Sequence, residues 1–404
     1  MSKTAPLAGL KVVELARVLA GPWAGQLLAD LGADVVKVES LAGDDTRHWG
    51  PPFVENADGT HAAAYYHACN RGKRSIAVDF AKPEGREVVA RLVAESDVVL
   101  ENFKVGGLAK YRLDYDSLHA ANPRLVYCSI TGFGQDGPDA PRPGYDFMIQ
   151  AMGGIMDLTG EASYPPQKVG LAFVDIFTGV YAVVAIQAAL AHRDKTGEGQ
   201  RIDLALLDTM TSVLSYQAMN YLVSGTAPTR MGNAHPNIVP YQEFATSDGH
   251  LIVAVGNDSQ FRHFTAVIGV PALADDPRFA TNEARVVNRA VLVPQLAEGV
   301  RRFRRDDLLA ALEAVKVPAG PINNVAQVMA EPQVVHRKMR IDVHAGDGST
   351  VPSIRSPILM PASPLAYDRA SPRLGEHTAE VLAQLGYAAG DVERLVAAGI
   401  VSGA

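Results

Sequence analysis

Asp175 stands alone in the apolar run Val169-Gly170-Leu171-Ala172-Phe173-Val174-Asp175-Ile176-Phe177-Thr178-Gly179. Apart from the weakly acidic phenol of Tyr181, it is the only acidic or basic side chain between Lys168 and His192. A carboxylate at or near the start of an apolar helix has two compatible uses. As an N-cap it accepts backbone N–H bonds and faces the positive helix end. Held in apolar surroundings, it is a sharpened nucleophile. A capped carboxylate can keep one oxygen free, so both readings stand.

Other segments carry chemistry less directly. Gly132-Phe133-Gly134-Gln135-Asp136-Gly137 fits G-x-G-x-x-G after a strand. A dinucleotide fingerprint also needs a helix to start there. Pro138, Pro141 and Pro143 forbid one, so the segment reads as a shaped loop. Glu39 closes a strand where a ribose-binding acid would sit, but Arg17 to Gly25 lacks the glycine pattern, and a surface or loop role is expected. Asn70-Arg71-Gly72-Lys73-Arg74-Ser75 packs three cations before a strand, which suits a phosphate site or a solvated basic turn. In Gly144-Tyr145-Asp146, the aspartate can cap the next helix or position a reacting group, and the tyrosine reads as packing. The histidines show no H-x-x-x-H or H-E-x-x-H spacing, so no metal site is expected. There is no G-x-S-x-G elbow.

The elements that must hold these residues alternate in the first third of the chain. Strands are expected at Lys11–Leu15, Asp34–Val38, Ser75–Val78, Asp97–Leu100 and Leu125–Cys128. Helices are expected at Gly21–Leu31 and from Pro83, with Val88, Val89, Leu92 and Val93 on one face. This βαβ rhythm implies a parallel sheet flanked by helices. Asp175–Arg193 and Leu204–Val223 read as long apolar helices. A second region follows, with a strand at Leu251–Val255, helices near Leu292–Phe303 (Pro294 in the first turn) and Asp306–Val315, and a breaker at Val317–Pro321. A β segment around Thr350–Leu359 precedes two closing helices, the second capped by Asp391.

Composition sets the frame. The chain has 404 residues, 48% of them hydrophobic and 20% charged, which suits two or three globular domains. A formal net charge of −7 argues against a nucleic-acid binder, though not against a polyanion held by a local basic patch. Two cysteines, Cys69 and Cys128, allow no disulfide framework. Met1–Pro6 has no apolar signal core. No apolar run reaches the ~18 residues of a membrane span. Val180–Leu190 reads as part of a buried helix. A soluble, cytoplasmic protein is expected.

In order along the chain, several of these segments resemble the class III CoA-transferases, the family of formyl-CoA transferase and carnitine CoA-transferase. The resemblance rests on Ala20-Gly21-Pro22, Leu31 to Glu39, Gly43-Asp44-Asp45-Thr46-Arg47, Asn70 to Ser75, Glu101-Asn102-Phe103 and Leu374-Gly375-Glu376-His377-Thr378. Asp44 to Phe53, Cys128 to Gln135, Ile238 to Gln242 and Gly320 to Asn324 look most similar to the succinyl-CoA:glutarate, dicarboxylate-using type.

The resemblance implies an α/β fold, with a large Rossmann-like parallel-sheet domain and a smaller α+β domain, in an interlocked homodimer. The implied domains are 1–200 (first part of the large, CoA-binding domain), 201–230 (a linker helix), 231–325 (the small domain) and 326–404 (the return and remainder). The family's catalytic aspartate falls on Asp175, which would attack an acyl-CoA thioester and carry the acyl group, then CoA, in covalent form. Coenzyme A and its thioesters would be substrates, with no tightly bound cofactor. Adenine and phosphate contacts fall on Leu19 and Ala20, on Val78, Asp79, Phe80 and Ala81, on Asn102, Phe103 and Lys104, and on Lys110. The pantetheine end approaches Gly144, Tyr145 and Asp146. Two departures stand out. Leu19 replaces a glutamine of formyl-CoA transferase, and Gly232 to Asn237 has one glycine where that enzyme has a glycine-run shielding loop. The α-methylacyl-CoA racemases keep a histidine at position 145, and Tyr145, with a reference pKa of about 10, is a poor substitute for acid–base work. A non-catalytic CoA-binding protein is the third reading.

Overall fold

The computed structural model describes residues 4–403. The first three residues of the Met1–Pro6 segment read above lie outside them. The chain divides into two compact units. The larger takes the described part of Met1–Gly154, Val169–Ala218 and Val335–Ala404; the smaller takes Ile155–Lys168 and Met219–Val334.

The larger unit is built on one seven-stranded sheet: β1 (Lys11–Glu14), β2 (Asp34–Glu39), β3 (Arg74–Val78), β4 (Val98–Glu101), β5 (Val126–Thr131), β6 (Arg201–Ala205) and β7 (Val401–Ser402). Their spatial order is β7-β3-β2-β1-β4-β5-β6. All neighbours are parallel except β7, which runs antiparallel to β3. Leaving β7 aside, this is the doubly wound order, whose switch point lies between β1 and β4. The inner strands are short Val/Ile runs because helices cover both faces: Val12, Val13, Val35, Val98, Val99 and Leu100 are all buried. Helix α1 (Ala20–Asp30) follows β1, and α2 (Pro83–Ala94) follows β3 with Pro83 in its first turn. Then come α3 (Asp146–Met152), α4 (Phe173–Thr196) and α5 (Leu206–Val213).

The smaller unit is α+β. Its three-stranded antiparallel sheet runs Ala319–Pro321, His250–Ala254, Tyr241–Ala245. Helices pack Phe261, Phe264, Leu292, Leu296, Leu308 and Leu312 into its core.

Several expectations change. The linker helix placed at 201–230 begins instead as β6, which pairs with Tyr127–Thr131. Arg201 and Asp203 alternate outward on this edge strand, so its composition lacks the buried-strand signature. The single helix expected over Leu204–Val223 is therefore two, α5 and Ser215–Ser224, with Ser215 at a φ of 49°. Residues 155–168 join the smaller unit, and the chain crosses between units near 218 and 335 rather than at 231 and 325. The helix holding Pro294 spans Arg289–Val300, so the proline is interior. The last helix is Ala389–Ala397; Ala388 precedes it, and Asp391 accepts from the Ala388 N–H at 3.0 Å from inside the first turn.

The three cations of Asn70–Ser75 form neither a phosphate site nor a solvated turn. Arg71 grips Asp30 at 3.0 and 2.7 Å, Lys73 meets Glu14 at 2.8 Å and Arg74 meets Asp34 at 2.5 Å, and all three cations are buried. Their acids lie 41, 59 and 40 residues earlier in the chain, out of reach of any local reading. Glu39 is likewise buried rather than on the surface, chelated by Arg47 at 2.9 and 2.6 Å.

Candidate active site

A cavity of about 400 Å³ opens at the carboxyl ends of β1, β4 and β5. Open parallel sheets bind ligands at this switch point, because the loops leaving β1 and β4 part there. The first wall is Arg17 to Ala20, after β1; the second is Asn102 to Val105, after β4; the third is Ile130 to Gly132 with Arg142 to Tyr145. Asp175 closes the cavity from α4.

The third wall explains the glycine pattern that mimics a dinucleotide fingerprint. The backbones of Gly132 and Gly144 cross so closely that a Cβ on Gly132 would lie 2.5 Å from the Gly144 Cα. Gly134 and Gly137 have φ of 93° and 84°, where glycine is favoured. The segment is a loop, and no helix begins before Asp146.

The placement of Asp175 differs from the capping reading. The residue preceding α4 is Ala172, and Asp175 is the third helical residue. The cap comes from elsewhere: one oxygen of Asp146 accepts from the Val174 N–H at 2.8 Å and the Asp175 N–H at 3.2 Å. Its other oxygen accepts from Gln150 Nε2 at 2.6 Å. Gln150, fully buried, also donates to Leu171 O at 3.2 Å and accepts from the Val169 N–H at 2.9 Å, tying down the approach to α4. Asp146 thus opens α3 yet caps α4, and it relieves Asp175 of capping.

Asp175 is 9% exposed, and its carboxylate has no hydrogen-bond or ion-pair partner among the described residues. Burial, then the charge of Asp146, pushes its pKa from the usual 3.8 up to about 7. No cation quenches it, so its basicity, and with it its nucleophilicity, exceeds that of a surface aspartate. The Tyr65 phenol is pushed up to about 12, by burial first and by the Asp175 charge next, and so keeps its proton.

Of the sites named from sequence, Leu19, Ala20, Asn102, Phe103, Lys104 and Lys110 line the cavity, as do Gly144, Tyr145 and Asp175. Asp146 sits behind the wall as a cap. Val78, Asp79, Phe80 and Ala81 are not on the wall. Val78 is buried in the sheet, and Phe80 packs edge-on against Phe103 and Tyr111, one layer back. Tyr145, read as packing, is 60% exposed at the cavity rim.

Two cations were missed. Arg17 and Arg142 join Lys104 and Lys110 around the opening. Arg142 lies 4.9 Å over the Phe133 ring and 2.9 Å from Asp139. Its signal was available, as the one basic residue of the Gly137–Gly144 loop. The result is a cavity with a cationic mouth and a lone buried carboxylate. It suits a ligand with an anionic, phosphate-bearing end and a reactive carbonyl.

The fold and this site define a class: a doubly wound α/β protein whose switch-point cavity carries basic side chains at its mouth and a buried carboxylate on its wall. The chain belongs to CoA-transferase family III, whose model matches residues 7–378. A succinate–glutarate CoA-transferase of Agrobacterium fabrum is 58% identical over 382 residues, covering 94% of this chain and 96% of that protein. The succinyl-CoA:glutarate CoA-transferase of Homo sapiens is 41% identical over 406 residues, covering 99% and 91%. Among solved structures, a CaiB/BaiF family protein from Brucella suis matches with a TM-score of 0.84 at 61% identity, covering 95% of this chain and all of that one. The chain is a CoA-transferase by these relationships.

Proposed function

We propose that this enzyme transfers CoA from succinyl-CoA to a dicarboxylic acid of the glutarate class, with Asp175 as the covalent relay. The observation that carries the relay is the unpaired, buried Asp175 carboxylate on the wall of a cavity with a cationic mouth. Its oxygen attacks the thioester carbonyl, the C–S bond breaks, and a mixed anhydride and CoA thiolate form. The thiolate then attacks the aspartyl carbonyl and releases succinate, leaving aspartyl-CoA thioester. The acceptor carboxylate attacks the aspartyl carbonyl of that thioester, the C–S bond breaks to give a second mixed anhydride and CoA thiolate, and the thiolate attacks the acceptor's carbonyl and expels the Asp175 carboxylate. Asp175 leaves as it entered, and charge balances at each step. The 58% and 41% identical relatives, named as succinate–glutarate and succinyl-CoA:glutarate CoA-transferases, support the choice of acids.

The same reading includes a cytoplasmic homodimer. The support for the dimer is apolar exposure in a single chain: Phe177, Val180, Tyr181 and Val184 recur along one face of α4. By length and composition α4 is long and apolar enough to cross a membrane, longer than the Val180–Leu190 run suggested, and 44% of its apolar window is buried within the protein. Size-exclusion with light scattering tests the dimer; an active monomer would refute it.

The chemistry is tested with an acceptor panel on wild type and Asp175→Ala. Mass spectrometry of enzyme quenched during turnover reads the relay. A CoA adduct on the Asp175 peptide is expected. Transfer that survives in Asp175→Ala would refute the relay, and wild-type turnover with monocarboxylates alone would refute the choice of acids.

A further inference from the structure

Val18 lines the cavity with a φ of 71°, in a backbone region that β-branched residues almost never enter. Such a residue persists only where its surroundings over-determine it. Here they do, by side chains rather than by sheet or helix. Asn102 brackets Arg17, accepting from its N–H at 2.9 Å and donating to its carbonyl at 2.7 Å. Lys37 donates to Ala16 O at 2.8 Å, and the Cys69 thiol points at Val18 O at 3.7 Å. The Val18 N–H goes to the Asp44 carboxylate, at 3.2 and 3.4 Å from its two oxygens.

Asp44 is itself locked. Its oxygens also take the Thr46 N–H at 3.0 Å, the Thr46 hydroxyl at 2.8 Å and the Lys37 ammonium at 3.0 Å. Its own N–H donates to Glu39 at 3.0 Å, and Glu39 is chelated by Arg47. The Gly43-Asp44-Asp45-Thr46-Arg47 segment therefore backs the cavity wall: Arg17 to Ala20 reach the cavity and Asp44 does not.

We infer that Asp44 is a positioning residue for transfer: through the Val18 amide it holds the Val18–Ala20 wall in a strained register facing Asp175. The inference rests on the cavity being the site of transfer. Removing Asp44 lets Val18 relax to negative φ, which turns the peptide groups on either side of it. Wall atoms then move by an ångström or so, a displacement that costs about 10²-fold in rate at a reacting centre. Ligand binding at the cationic mouth is affected less.

The distinguishing test exploits glycine, which holds positive φ without help. Asp44→Ala is compared with Asp44→Ala/Val18→Gly for kcat, KM for succinyl-CoA and melting temperature. Because Asp44→Ala removes one buried partner of Lys37, the same comparison is run with Lys37→Met added. A 10- to 100-fold fall in kcat is expected, with KM changed less than about threefold, and Val18→Gly should restore at least a third of the wild-type kcat without raising the melting temperature. Unchanged kcat in a folded Asp44→Ala variant overturns the inference, as does a loss of kcat that Val18→Gly leaves untouched. Failure of both Asp44→Ala and Asp44→Ala/Lys37→Met to fold also counts against it, since Asp44 would then act on stability alone. Wild-type and Asp175→Ala controls separate the two claims: no wild-type transfer sinks the proposed function, whereas normal transfer with an indifferent Asp44→Ala sinks only this inference.

Discussion

Two sets of buried carboxylates lie in the same unit and are treated in opposite ways. Glu14, Glu39 and Asp44 are surrounded by cations: Glu14 lies 3.1 Å from Lys37 and 2.8 Å from Lys73, Glu39 holds Arg47, and Asp44 holds Lys37. Burial raises the pKa of Glu39 and Asp44, but Arg47 and Lys37 outweigh it and hold both below their ordinary values. Asp175 has no cation, only the like charge of Asp146, and burial raises it to about 7. Paired carboxylates hold the scaffold, and the unpaired one keeps a raised pKa on the cavity wall. The contrast follows from geometry. Glu14 and Lys37 are cross-strand neighbours in the register of β1 and β2, whereas Asp175 projects from a helix whose N–H groups are already taken by Asp146.

The largest effect that breaks this contrast is chemical. Asp175→Ala should lower transfer by on the order of 10⁴-fold or more, read as initial rates, while its melting temperature does not fall. Next comes Glu14→Gln, which strips Lys37 and Lys73 of their shared counter-charge. Breaking a buried pair on one side costs roughly 3–5 kcal/mol, so a lower melting temperature is expected, with the residual kcat read separately in the folded fraction.

A smaller effect sharpens the comparison by sign. Asp175 has a folded pKa above its unfolded one, so its contribution to stability is full below pH 4 and is lost as pH rises through about 7. Glu39 and Asp44 have lowered values, so theirs is present above the ordinary carboxylate range and is lost as pH falls through their folded values. Asp175→Asn should therefore gain on wild type between pH 5 and 8 by on the order of 1 kcal/mol or more, the shift being a differential free energy. Thermal melts across pH check this, and a gain that shrinks with rising pH would contradict it. Smallest is Asp146→Asn. Its amide oxygen still accepts from α4, at the cost of the Gln150 hydrogen bond, because the new NH2 faces Gln150 Nε2; the like charge is gone, so the ionisation limb of kcat should move to lower pH. The plateau should fall a little with the lowered basicity of Asp175. A limb that stays put in a pH–rate profile would mean that Asp146 acts by capping alone.

Where the sequence was readable, the reason is local. Valine runs such as Val12-Val13 and Val98-Val99 announce a doubly covered sheet, and Pro138, Pro141 and Pro143 exclude a nucleotide-type helix from steric grounds alone. The isolation of Asp175 was visible, but its freedom from capping was not, because the actual cap lies 29 residues earlier at Asp146. The cations of Asn70–Ser75 misled for the same reason, since an ion pair closed onto α1, β1 or β2 leaves no mark near the cation. Strand β6 was hidden by its edge position, where Arg201 and Asp203 dilute the apolar pattern. Of the wall residues, Arg142 was readable as the one basic residue of its loop, Arg17 is lost among ordinary surface charges, and the left-handed Val18 has no compositional sign at all.

Strand β3 is flanked on one side by β2 and on the other by β7, whose residues Val401 and Ser402 pair with Val78 and Ala77. During synthesis, β3 leaves the ribosome long before its second neighbour exists. At 5–20 residues per second the interval is roughly 15–60 s. The smaller unit is made entirely within it. Throughout that time the open side of β3 offers unpaired backbone to any other extended chain, an exposure that the finished enzyme loses where Val401 and Ser402 pair.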